Sequence, residues 1–197
     1  MKLPKGYYQS EDVVAISRDL LGKILITNIS GIVTSGIITE TEAYCGRNDK
    51  ACHANNNRRT NRTEIMYHAG GSAYVYLCYG IHSLFNIVTN KEGLADAVLV
   101  RAVEPLEGIE EMLLRRNLQM AAPKLTAGPG AMSQALGITT KLYGTDLTGN
   151  KIWLEDRGIK VSEIISSARI GVSYAAEDAL KPWRFTIKGN KWVSKTK

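Results

Sequence analysis

The stretch Ser72–Asn90, SAYVYLCYGIHSLFNIVTN, limits the possible folds more than any other part of the chain. Tyr74, Tyr76 and Cys78 alternate with Val75, Leu77 and Tyr79, and Leu84–Thr89 is again rich in β-branched and aromatic residues. Residues of those types at period two form strands, and a glycine between two such runs folds them into a hairpin. The tip of this hairpin is Tyr79-Gly80-Ile81-His82. Elsewhere Lys23–Ile29 and Ile32–Tyr44 read as strands joined by a Ser30-Gly31 turn, Ala97–Val103 as an apolar strand interrupted by Arg101, and Lys151–Leu154 and Arg184–Lys188 as later strands. Helices are expected after a Ser10 cap (Val13, Ile16, Leu20 and Leu21 at helical spacing, closed by Gly22), from Pro105 onward, and over Gly130–Leu136 before Gly137. Strands predominate and no regular βαβ alternation exists. The expected fold is therefore α+β: one domain over residues 1–197, with a curved, mostly antiparallel sheet, surrounding helices and a protruding hairpin.

Charge supplies a second constraint. The net charge is +6, and residues 181–197 contribute Lys181, Arg184, Lys188, Lys191, Lys195 and Lys197 without an acid. A further cluster, Arg58, Arg59 and Arg62, lies in a polar stretch. Such clusters suit a polyanionic partner, although a solvated tail and loop would look the same. Cys45, Cys52 and Cys78 form no CxxC pair, so a disulfide framework is not expected. Cys45, Cys52 and His53 lack a fourth ligand at a familiar spacing, so no metal is expected either. No run approaches the ~20 apolar residues needed to span a bilayer. The N-terminal residues lead into acids without an apolar segment, so no signal peptide is expected.

Several polar residues stand where chemistry could use them. Alternation along Ile32–Tyr44 puts Glu40 and Glu42 on the face of Ile38, with Thr41 opposite. A buried carboxylate finds partners or rises in pKa, although two solvated glutamates at a strand end are the simpler alternative. Arg101 has apolar neighbours on both sides and, if buried, needs a carboxylate such as Glu40 or Glu42. Asn86 inside its strand must satisfy both amide donors and a carbonyl, some of them through a ligand base. Tyr44, Tyr74, Tyr76 and Tyr79 lie near these groups, and aromatic faces stack on nucleobases and attract cations. An exposed Tyr-Gly-Ile-His tip suits insertion into a minor groove.

Five segments, Ile38–Tyr44 (ITETEAY), Ala73–Asn86, Val98–Gly108, Gly128-Pro129-Gly130 with Gln134-Ala135-Leu136, and Lys181–Phe185 (KPWRF), resemble the alkyladenine (3-methyladenine) DNA glycosylase family in order and spacing. The resemblance implies a monofunctional glycosylase without a cofactor. Such an enzyme flips alkylated or deaminated purines out of double-stranded DNA and hydrolyses the N-glycosidic bond. It further implies Glu42 as the base that activates water, with Arg101 beside it. Tyr44, His53 and Tyr76 become pocket walls, Asn86 the residue that clashes with the amino group of normal guanine, and Tyr79, with Ile81 beside it, the intercalating side chain. Ala131 departs from the family's usual lysine, and Ile81 and His82 depart from its usual hairpin tip. A monomer in the bacterial cytoplasm, associated with the nucleoid through DNA, is the expected setting. A non-catalytic binder of distorted nucleic acid is the alternative.

Overall fold

The computed structural model describes residues 1–195. Its strands are β1 (Ile24–Ile29), β2 (Ile32–Cys45), β3 (Ala73–Cys78), β4 (His82–Thr89), β5 (Asp96–Glu107), β6 (Ile152–Glu155), β7 (Ile164–Ser167) and β8 (Arg184–Ile187). Its α-helices are α1 (Val13–Asp19), α2 (Ile109–Arg116) and α3 (Pro129–Ala135), and short 3-10 segments lie between the elements. The strands form one antiparallel sheet in the order β3-β4-β5-β2-β1-β6, with β8 pairing both β2 and β7. The expected α+β class with a curved antiparallel sheet and a projecting hairpin is what the chain adopts.

The fork in the sheet places the site. β1 pairs β2 only as far as Ile24 opposite Ile37. Beyond that point the same edge of β2 is taken by β8, with Glu40 opposite Thr186 and Glu42 opposite Arg184. On its other edge β2 runs along β5 for nearly its whole length. The strand carrying both glutamates is thus flanked on both edges exactly where its carboxylates sit, so neither edge opens to water.

Alternation along β3 and β4 divides the interior into two clusters. Ala73, Val75, Phe85 and Ile87 join the main core with Leu20, Leu25, Val100, Met112 and Met132. Tyr74 and Val88 turn the other way, into a smaller cluster with Met66, Tyr67 and Ala97, against which Tyr44 and Tyr76 pack. The hairpin turn needs left-handed backbone at Tyr79 (φ 51°) and Gly80 (φ 73°), and the Ile81 N–H closes it on the Cys78 carbonyl at 3.1 Å. Glycine takes that conformation freely, whereas a tyrosine gives up about 1 kcal/mol to hold it.

Two local expectations are corrected, and one strand is added. The first helix is capped by Asp12, whose Oδ1 accepts the Val14 and Ala15 N–H groups at 2.9 Å each. Ser10 only braces the Asp12 backbone, at 3.4 Å, because the helix begins one residue after Asp12 and Ser10 lies too far back. Pro105 does not start a helix. It lies inside β5 at an irregularity where Gly36 faces Pro105 and Ser35 faces Glu107, a position that has no need of the N–H that proline lacks. The helix starts after Gly108, whose left-handed φ of 72° breaks the strand. Strand β7 was not foreseen, because Ile164–Ser167 is too short and too exposed to alternate clearly. Lys197 of the basic tail lies outside the described residues.

Candidate active site

Glu40 and Glu42 are both completely buried, but not on the face of Ile38. Ile38 joins the main core together with Ala43, five residues on, so strict alternation fails between them. The register explains it. Ile38 faces Val103 and Glu40 faces Ala102, leaving Thr39 as an extra residue on β2; then Thr41 faces Val100, leaving Arg101 as an extra residue on β5. Two compensating bulges therefore rotate Glu40 and Glu42 away from the main core and swing Arg101 towards them, the re-aiming that bulges commonly perform.

Arg101 is the partner its apolar neighbours demanded. Its Nε donates to Glu40 Oε1 at 2.7 Å, and its Nη1 lies 3.4 Å from Glu42 Oε1. Arg184 donates from Nε to the same Glu40 oxygen at 2.7 Å. Ser194 adds its Oγ to Oε1 at 2.8 Å and its N–H to Oε2 at 2.7 Å. Burial alone would push the Glu40 carboxyl up, but Arg101, Arg184 and the Ser194 N–H outweigh it and hold the group below its ordinary value. Burial works against the Arg101 guanidinium in the same way, and Glu42 and Glu40 more than offset it. Two carboxylates and two guanidiniums balance, which a buried cluster of charges requires.

Glu42 is held by three donors. The Tyr44 hydroxyl donates to Oε2 at 2.7 Å, the Ile170 N–H to Oε1 at 2.8 Å, and Arg101 approaches as above. Burial and the neighbouring Glu42 charge push the Tyr44 phenol well above its ordinary value, so it keeps the proton that it donates to Glu42. The Ile170 backbone is fixed by its neighbour. Arg169 makes a bidentate pair with Asp49 at 2.5 and 2.7 Å, both side chains fully buried, and also donates to the Ala43 and Asp178 carbonyls. Neither Asp49 nor Arg169 was singled out from sequence. They lie 120 residues apart, and nothing local to either names the other.

Beside this cluster opens a cavity of about 470 Å³ whose walls include Tyr44, His53, Tyr76, Asn86, Tyr79 and Arg101. Glu42 itself is not on the wall; it stands one layer behind, presented through Tyr44, Arg101 and Ile170. Tyr76 and His53 meet edge to face with ring centres 4.7 Å apart, and Tyr74 lies 5.3 Å from Tyr76. His53 Nδ1 sits 2.7 Å from the Tyr74 hydroxyl. Burial, helped by Arg62, pushes the imidazole down to about 4, so the ring is neutral near pH 7. Asn86 donates its amide to the Tyr74 and Leu84 carbonyls at 3.1 and 3.4 Å. Tyr79 is 88% exposed and Ile81 72% exposed; Tyr79 borders the cavity and Ile81 lies outside it, further along the tip. Arg62, Tyr74, Tyr174 and Ile170 also line the cavity, and of these sequence reading had noted only the first two, as a charge and an aromatic.

Basic side chains flank the cavity on two sides. A cleft with Lys50, Arg58 and Arg62 adjoins it at His53, and a groove with Lys124, Lys191 and Lys195 adjoins it across Ile170 and Gly171. Among the described residues no three His, Cys, Asp or Glu side chains gather where they could hold a metal ion, and no helix is long and apolar enough to cross a membrane.

Comparison with known proteins adds to this geometry. A family model described as methylpurine-DNA glycosylase matches residues 7–191. Three relatives carry the name "Putative 3-methyladenine DNA glycosylase". The one from Natranaerobius thermophilus is 45% identical, over 98% of this chain and 99% of its own. The one from Chlamydia felis is 46% identical, over 96% and 97%. The one from Clostridium acetobutylicum is 42% identical, over 98% of each.

Proposed function

The chain belongs to the methylpurine-DNA glycosylase family, hydrolases of N-glycosyl bonds in DNA that carries damaged bases, and from that premise we propose how its own residues do the work. The lesion is an alkylated or deaminated purine: 3-methyladenine, 7-methylguanine, hypoxanthine or ethenoadenine. It is flipped from duplex DNA into the aromatic cavity, between Tyr44, His53 and Tyr76. Tyr79, presented at the hairpin tip with Ile81 beside it, fills the space the nucleotide leaves. The basic cleft and groove on either side hold the phosphates of the bent strand. One copy carries a whole site, so the enzyme acts as a monomer, in the bacterial cytoplasm at the nucleoid.

Cleavage breaks the bond from C1′ to the base nitrogen, and the electron pair leaves with the base. The sugar becomes oxocarbenium-like, and the Glu42 carboxylate stabilises that charge across a water molecule. Glu42 then takes a proton as the water oxygen bonds to C1′. Arg101 positions Glu42 and the water together. Tyr44 and the Ile170 N–H keep the carboxylate from rotating away. A methylated purine leaves as a neutral base, whereas hypoxanthine needs a proton or an equivalent donor. Asn86, tethered to two backbone carbonyls, cannot swing aside for the amino group of normal guanine.

One observation carries this reading: a fully buried glutamate, paired with an arginine and held by two further donors, stands behind the wall of an aromatic cavity. Duplexes with a single hypoxanthine, ethenoadenine or 7-methylguanine, assayed for alkali-labile sites, test it. Glu42→Gln should slow excision by about a thousandfold while lesion DNA is still retarded in a gel. Wild-type cleavage by the variant would overturn the assignment. Retardation without cleavage by the wild-type protein at every pH tried would leave a pure binder of distorted nucleic acid.

A further inference from the structure

Arg62 belongs to the basic cleft but also lines the base cavity itself: its guanidinium carbon stands 4.7 Å from the centre of the Tyr76 ring and its Nη2 lies 3.3 Å from His53 Nε2. It reaches over two of the three walls that would take the flipped base. Its backbone is braced: Thr63 Oγ1 bonds the Arg58 carbonyl at 3.0 Å and accepts the Thr60 N–H at 2.9 Å, so the segment holds its place at the cavity rim.

The charges around the cavity are otherwise matched. Arg101 answers Glu40 and Glu42, and Arg169, which lies over the Tyr44 ring at 4.9 Å, answers Asp49. Arg62 faces only uncharged rings, and among the described residues no carboxylate comes within 4.0 Å of it. His53 beside it is neutral near pH 7. The aromatic faces that would otherwise attract a cationic base thus already hold the protein's own cations, and one of those cations is uncompensated.

Resting on the base-pocket reading above, we propose that Arg62 sets the charge preference of the pocket, favouring neutral purine lesions over cationic ones. With the Arg62 charge as the equivalent of the proton that hypoxanthine needs, bond cleavage sends one electron pair to the base and its charge falls by one in both cases: from zero to minus one for hypoxanthine, from plus one to zero for 7-methylguanine. A fixed cation stabilises that change equally for both. The two differ on entry, because only the cationic base meets repulsion from Arg62. Summed from free enzyme to transition state, Arg62 assists hypoxanthine and is close to neutral for 7-methylguanine. This difference is read in kcat/KM rather than in kcat.

The test compares kcat/KM on matched duplexes carrying one hypoxanthine or one 7-methylguanine, for wild type, Arg62→Gln and Arg62→Lys. Arg62→Gln should lower the hypoxanthine to 7-methylguanine ratio by about fivefold, roughly what two unit charges 4 Å apart produce in a water-like medium. Arg62→Lys, which keeps the charge, should restore most of the ratio. Raising the salt should shrink the effect, because Arg62 is exposed. An equal loss on both substrates would make Arg62 a phosphate contact and overturn the proposal, as would a shift in the opposite direction. A wild-type protein that releases neither base would instead overturn the glycosylase reading itself. Thermal unfolding of both variants close to the wild-type Tm shows that the fold is intact.

Discussion

Glu40 and Glu42 stand two residues apart on one strand, yet their surroundings assign them different tasks. Glu40 accepts four hydrogen bonds, two from arginines and two from Ser194, and has no place on the cavity wall. Its position makes it the residue that orients Arg101: by taking Nε it leaves the Nη1 edge directed at Glu42. Glu40→Gln should therefore slow excision by about tenfold or more and destabilise the fold by about 2–4 kcal/mol, because it leaves two buried guanidiniums short of one negative charge. A purely structural role would give effects that add. Combined with Arg101→Lys, the loss in single-turnover rate should be clearly less than the product of the two single losses, with stability followed separately by urea unfolding.

At the scale of elements, the strands and the hairpin were legible because period-two alternation survives wherever pairing is regular. Ser72–Asn90 is regular, and its tip, its inward tyrosines and Asn86 fall where the pattern indicates. The pattern misleads along Ile38–Glu42, where paired bulges at Thr39 and Arg101 reverse the parity, and a bulge leaves no mark in residue types. Arg101 could be read as a buried charge in need of an acid because every neighbour is apolar. The Arg169–Asp49 pair and the Ile170 N–H could not be read, because a backbone donor has no signature and the pairing spans most of the chain. The hairpin itself invites a direct test. Tyr79 is bulky, 88% exposed and held in left-handed backbone, an arrangement that stability alone would not retain. Tyr79→Ala should shift stability by no more than about 0.5 kcal/mol. It should also weaken excision from duplex by about tenfold, with a smaller effect on a lesion already unpaired in a bulge. Equal losses on both duplexes would remove Tyr79 from the flipping step.

For the whole molecule, His53 links the pocket to stability. Its imidazole is held down at about 4 in the folded protein, against an ordinary value near 6.5. The unfolded chain therefore binds a proton between those two values that the folded chain refuses. The contribution of this residue is complete above about pH 6.5 and drains away as the pH falls towards about 4, by up to about 3 kcal/mol. Urea midpoints measured across that range should fall more steeply for the wild type than for His53→Gln, and parallel curves would refute the coupling. The fork in the sheet has a consequence in time. Glu40 and Glu42 leave the ribosome early, but Arg184 and Ser194, which complete their surroundings, follow 144 and 154 residues after Glu40. A chain stalled short of them carries two carboxylates facing one arginine, and Glu40 lacks three of its four donors. The surroundings of Glu40 are thus completed by residues that follow it by most of the described chain.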